Sequence, residues 1–172
     1  MHTCFALFPI VLGIFCAFHD TADAQPMDST SHVRPEHRTI LQKWLAHKKG
    51  LRLATENDVV NKKALEYARS ADKHYYPYYA VGDFNQDGAQ DFAIALIKRN
   101  SSSRNLIVAI FNGPFKAAKK NEPAFLSDRF DTDWWLFVEG QDKEQILSAG
   151  VYETDFGLIF RPRKKGYVMS HE

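Results

Sequence analysis

The chain has 172 residues, a formal net charge of +1 and only two cysteines, Cys4 and Cys16. That length allows one ordinary domain with a real core. Both cysteines lie in an apolar N-terminal run, so a chain cut after that run has no disulfide and no thiol chemistry.

Residues 4–18 carry no charge and are followed by Ala22-Asp23-Ala24, a small-x-small pattern. Together they read as a secretory signal peptide, residues 1–24. No Lys or Arg precedes the apolar run, which leaves an uncleaved N-terminal anchor as the alternative. Phe15 before Cys16 argues against a lipid anchor there. Asp20 and Asp23 are the only charged residues before Gln25, so their removal moves the formal charge from +1 to +3. That is too mild to argue for or against a polyanionic partner. The expected location is exported, periplasmic or extracellular, with no membrane span in the mature chain.

Residues 25–37 (QPMDSTSHVRPEH) are polar, hold two prolines and show no period, which predicts a flexible arm. A single domain is expected over 38–172. Residues 38–49 predict a helix with Ile40, Leu41, Trp44 and Leu45 as its apolar stripe, ended by Gly50. Thr55-Glu-Asn-Asp58 resembles a capping box and predicts a second helix to about Ala71, with Val60, Ala64, Tyr67, Ala68 and Ala71 on one face.

The period then changes. Residues 75–81 are aromatic and β-prone. Residues 92–98 and 106–111 are apolar on both alternating faces. Phe92, Ile94 and Leu96 share one face of the first; Ala93, Ala95 and Ile97 share the other. Such strands are covered on both sides, or set their small face close to a helix. Residues 99–104 predict a hairpin loop, Gly113-Pro114 a break, and 115–120 one helical turn. Residues 134–138, 145–151 and 156–160 predict further strands, and 163–166 a turn into a last strand over 167–169. The pattern is α+β: two N-terminal helices packed on an antiparallel meander.

Residues 82–96 read GDFNQDGAQDFAIAL. Asp83, Asn85, Asp87 and Asp91 alternate around Gly88. A curled loop can turn such side chains, with the Ala89 carbonyl, toward one hard cation that takes six to eight oxygens. Glycine permits the reversal. Oxygen-only ligands favour calcium over zinc or copper. Where an EF-hand has its bidentate glutamate stands Ile94, in a strand rather than a helix.

Strand, D-x-N-x-D-G-x-x-x-D loop and apolar strand over residues 80–112 instead resemble FG-GAP and VCBS-type repeats, the calcium loops of β-propeller blades. That resemblance implies Asp83, Asn85, Asp87 and Asp91 as side-chain ligands of Ca²⁺ and Ala89 as a carbonyl ligand. A propeller repeats its blades, whereas Asp87-Gly88 is the only Asp-Gly pair in the chain. The expectation is therefore one calcium-loop hairpin inside an α+β domain, not a propeller. No histidine lies in the loop, so the metal is read as structural rather than catalytic.

Tyr76 and Tyr79 around Pro77, and Trp134 with Trp135, are the candidate partner contacts, against the commoner role of packing. Adjacent tryptophans in a strand point to opposite faces. Asp128, Asp131 and Asp133 lack a turn glycine and read as solvated acids. Arg161, Arg163, Lys164 and Lys165 read as a solvated turn, not a nucleic-acid site. No nucleophile elbow, zinc-helix motif, phosphate loop or glycosidase-type carboxylate pair is present. The expectation is a non-enzymatic, calcium-binding exported module that binds a protein or another envelope macromolecule. An inhibitor or immunity protein against a cell-wall hydrolase, and a small calcium-dependent hydrolase, are the alternatives.

Overall fold

A computed structural model describes residues 30–99, 105–116, 121–140 and 144–171. The expected signal peptide, most of the expected arm and most of the 99–104 loop lie outside these residues. Two helices and nine strands follow in the order α1 (Pro35–Leu45), β1 (Leu51–Leu53), α2 (Lys62–Ala71), β2 (Tyr79–Gly82), β3 (Asp91–Lys98), β4 (Asn105–Phe111), β5 (Phe125–Asp131), β6 (Trp134–Glu139), β7 (Ile146–Val151), β8 (Gly157–Arg163) and β9 (Gly166–His171). The class is α+β, with two antiparallel sheets and neither a closed barrel nor a propeller.

The first sheet runs β1-β3-β4-β5, and β2 also pairs with β3. The second is the meander β6-β7-β8-β9. The single meander expected from the strand pattern is thus divided in two. The chain changes sheets at Thr132-Asp133, where Thr132 is buried and its carbonyl accepts from the Tyr78 hydroxyl at 2.8 Å.

Strand β3 explains the layering. Phe92, Ile94 and Leu96 join Ile107, Ala109 and Phe111 of β4 beneath Ile40, Leu41 and Trp44 of α1. Ala93, Ala95 and Ile97 face the opposite way, into a cluster with Ala64 and Leu65 of α2 and Trp135, Leu147 and Phe160 of the second sheet. All seven residues of β3 from Asp91 to Ile97 are buried. The small Ala93 and Ala95 leave room there for Tyr78, Phe84 and Trp135, each at most 2% exposed.

Helix α1 begins three residues earlier than the pattern predicts, and residues 30–37 are not a free arm. Pro35 suits the first helical turn, where no N–H is needed. Val33 and His37 are 1% and 2% exposed. The His37 ring stacks on Phe92 at 4.3 Å, and its Nδ1 lies 2.7 Å from the Tyr79 hydroxyl. In α2 the expected face is rotated. Asn61 Oδ1 caps Ala64 N at 3.0 Å, so the helix starts at Lys62. The Thr55–Asp58 pair closes only a 3₁₀ turn, Glu56–Asp58. Ala64 and Leu65 are buried, whereas Val60 and Tyr67 are 48% and 66% exposed.

Strand β2 is shorter than the aromatic run. Residues 75–76 are irregular and 77–78 turn instead, and the Pro77 carbonyl accepts from Leu136 N at 2.7 Å, linking the two sheets. Phe115 and Lys116 are not helical, and 117–120 lie outside the described residues. Strands β1 and β5 have no counterpart in the pattern reading.

Two tests follow from this packing. Phe92→Ala removes a ring stacked at 4.7 Å on Phe111 and is expected to cost about 3–5 kcal/mol in urea denaturation. Val138→Ala, at a 38% exposed site, should stay within about 1 kcal/mol of the parent. The second test concerns pH. Burial pulls both His32 and His37 down to about 4; Arg34 adds to this at His37, and Arg38 and Arg69 add to it at His32, while Glu36 and Glu56 oppose. Between pH 6.5 and 4 the unfolded chain then takes up protons that the folded chain refuses, so these histidines lower stability as pH falls. His32→Gln/His37→Gln should therefore show a smaller fall in Tm than the parent between pH 6.5 and 4.5. Equal slopes would remove the histidines from the acid response.

Candidate metal loop and the Asp91 node

Residues 83–90 connect β2 to β3, and Gly82 faces Asp91 across the closing pair. The chain reverses with Gln86 at φ 60° and Gly88 at φ 87°. A Cβ on Gly88 would meet no atom within 4 Å, so the left-handed backbone alone favours glycine there.

The acidic side chains first serve the loop itself. Asp83 accepts from Asp87 N at 3.0 Å through Oδ1 and from Gly88 N at 2.8 Å through Oδ2. Asn85 Oδ1 also accepts from Asp87 N at 3.0 Å, while Asn85 Nδ2 donates to Asp87 Oδ2 at 3.0 Å. Asp87 Oδ1 accepts from Ala89 N at 2.8 Å. These are Asx-type turns, which short polar side chains make readily.

Asp91 differs from the others. It is fully buried. Its Oδ2 accepts from Phe84 N at 3.0 Å and Asn85 N at 3.2 Å, and its Oδ1 from Gly113 N at 2.9 Å. Burial pushes its pKa up to about 6; the three amides oppose that shift, and Asp87 adds to it. The Tyr167 hydroxyl of β9 lies 2.8 Å from Asn112 Oδ1 and 3.3 Å from Asp91 Oδ2. Its one proton serves one acceptor at a time. Burial and the neighbouring carboxylate push its pKa upward. Gln145 Oε1 accepts from Asp83 N at 2.9 Å, and an Arg34 guanidinium N–H donates to Gln90 Oε1. The loop is thereby tied to the residue before α1, to the residues just after β4, to the residue before β7 and to β9.

The five residues implied as calcium ligands share one loop, and their donors are the hard oxygens that calcium requires. Each carboxylate keeps acceptor capacity beyond the bonds it makes. Yet Asp91 points inward while Asp87 stands on the exposed rim. Among the described residues no three His, Cys, Asp or Glu side chains are grouped closely enough to hold a metal. The same holds at Asp131 and Asp133, where Asp131 Oδ1 simply caps Asp133 N at 3.1 Å. A cleft of about 560 Å³ separates Asn85 and Asp87 from Arg163 and Lys164.

The four aromatic partner candidates do not form one patch. Tyr76 is stacked by His32 at 3.5 Å, and the Tyr79 hydroxyl bonds His37. Trp135 is 2% exposed, packed between Tyr75 and Tyr152, and has no face for a partner. Trp134 is half-buried between Phe130 and Phe156. Pattern reasoning missed Tyr167, because nothing local marks a contact with a residue 76 positions away.

Asp91→Ala in EDTA should cost about 3 kcal/mol, because one buried and two part-buried N–H groups lose their acceptor, at about 1–3 kcal/mol for a buried one. Tyr167→Phe should cost about 1 kcal/mol. Urea denaturation measures both, and an Asp91→Ala protein as stable as the parent would refute the node. No family model, no curated protein and no solved structure matches the chain.

Proposed function

We propose that the protein is an exported binding module whose 83–91 loop takes up one Ca²⁺ in a structural role. Asp83, Asn85, Asp87 and Asp91 would supply side-chain oxygens and Ala89 its carbonyl. The supporting observation is the placement of Asp83, Asn85 and Asp87 at alternating positions on one reversed loop that ends at the buried Asp91 carboxylate. A cation there would draw the Asp83, Asp87 and Asp91 carboxylates together and pin the β2–β3 hairpin. Pinning that hairpin also steadies Phe84 and Asp91, and through them the contact between the sheets. The metal stabilises the module and takes part in no reaction.

The test is a melt. Calcium at 100 times its Kd should add about 2.7 kcal/mol of stability, and EDTA should reverse the gain. Asp83→Asn/Asp87→Asn should melt at the same temperature with and without calcium. A parent melt that does not move across a calcium titration would sink the site.

A further inference from the structure

A groove of about 530 Å³ is lined by β6, β7, β8 and the 151–156 turn of the second sheet. Its floor is set by register. Trp135, Gly150 and Gly157 form one cross-strand row, and Phe137, Ser148 and Ile159 the next. The paired glycines carry no side chain, so the floor between β6 and β8 is bare backbone. A Cβ at Gly150 would stand 3.2 Å from the Phe156 carbonyl oxygen and 3.8 Å from the Phe137 ring, so a side chain there would crowd the hollow. Phe137 and Tyr152, with rings 6.5 Å apart and nearly parallel, wall the β6 side. Ile159 lies on the other.

The charges around this groove have one sign. Glu139, Glu153 and Asp155 line it, and among the described residues no Lys, Arg or His does. Glu139 is drawn over the floor by Ser148 Oγ, which donates to its Oε1 at 2.5 Å. No ion pair involving these three carboxylates occurs among the described residues. Arg161, the base on the same face of β8, turns its Nε to Ser170 Oγ of β9 at 3.1 Å. Glu153, at φ 63°, holds a left-handed conformation that non-glycine residues seldom adopt. It sits in the tight 151–156 turn, where Thr154 N and Thr154 Oγ1 both donate to the Val151 carbonyl.

We infer that this groove docks an extended segment of another protein that carries lysine or arginine. Aromatic walls attract a cation, and carboxylates at both ends, Glu139 held by Ser148, complement it. From Ser148 to Tyr152 the groove runs four residues along β7 and its end, about 13 Å. That length suits several residues of extended chain; a small amine would fill only part of it. The inference rests on reading the protein as a binding module, and names the face and the partner class.

The test uses the full chain and defined peptides. A labelled ten-residue peptide of alternating valine and lysine is titrated by fluorescence anisotropy at low salt, beside the same peptide with glutamate for lysine. Amide shifts are then mapped by NMR. The lysine peptide should bind, shift the amides of Phe137, Ser148, Gly150, Tyr152 and Ile159, and weaken as salt rises. The glutamate peptide should not bind. Glu139→Gln/Glu153→Gln/Asp155→Asn alters exposed residues only and should weaken binding about tenfold. Tyr152→Ala, checked for native near-ultraviolet dichroism, should weaken it as well. The groove would be overturned by no binding of the lysine peptide, by unchanged affinity in the charge variant, or by self-association that Tyr152→Ala abolishes. Shifts confined to the 83–91 loop would also overturn it, yet leave the binding-module reading standing. An unmoved calcium melt would strike the metal loop without touching the groove.

Discussion

One carboxylate joins parts of the chain that nothing else brings together so directly. Asp91 collects three backbone N–H groups, two from the turn after β2 and one from the end of β4, and lies beside a hydroxyl from β9. A buried acid is costly unless every oxygen is served. Here the service comes from segments that must already be in register. The hairpin, the end of β4 and the second sheet are therefore mutually conditional, and the loop's shape is an outcome of the whole fold.

That node sits at one end of β3, the strand on which both hydrophobic clusters depend. Phe92, Ile94 and Leu96 occupy the side toward α1, and Ala93, Ala95 and Ile97 the side toward α2 and the second sheet. The division lets a single eight-residue strand act as the midplane of three layers. The two sheets meet at their flanks through backbone rather than through a shared ladder. Leu136 N reaches the Pro77 carbonyl on one flank, and Gly166 stands against the Ala124 carbonyl on the other.

Much of this is legible before any coordinates. The two faces of β3 follow from alternation alone, because Phe92 and Ala93 cannot share a side. The stripe of α1 is equally plain in Ile40, Leu41 and Trp44. What escapes has physical reasons. Strand β1 spans three residues, Leu51 to Leu53, too few to show a period, and it exists because β3 offers it an edge. Strand β5 reads FLSDRFD; its charges face solvent on an edge, where they also discourage pairing with another chain. The division into two sheets turns on Thr132, whose burial no local pattern announces. In the loop, the spacing of oxygens is visible in the letters, whereas their bonds to the loop's own amides are not. Exposed Tyr67 and Val60 show the same limit. A 3.6 period lets one choose a face, and the cap at Asn61 decides where the count begins.

Strands β1 and β2 both run antiparallel to β3 and lie end to end along the same edge. Leu53 faces Leu96, and Tyr79 faces Ile94 only two residues further on. Between them Ala95 serves both, its carbonyl accepting from Ala54 N at 3.0 Å and its N–H donating to the Tyr78 carbonyl at 2.9 Å. Topologically β1 and β2 are one interrupted edge strand, and residues 54–78, helix α2 included, are an excursion that departs and returns at neighbouring points. Such a detour has nearly coincident ends, so its length is decoupled from the alignment of everything downstream. The pairing of the second half therefore does not depend on the length of this excursion, while Ala64, Leu65 and Tyr78 within it still fill the core the two halves share.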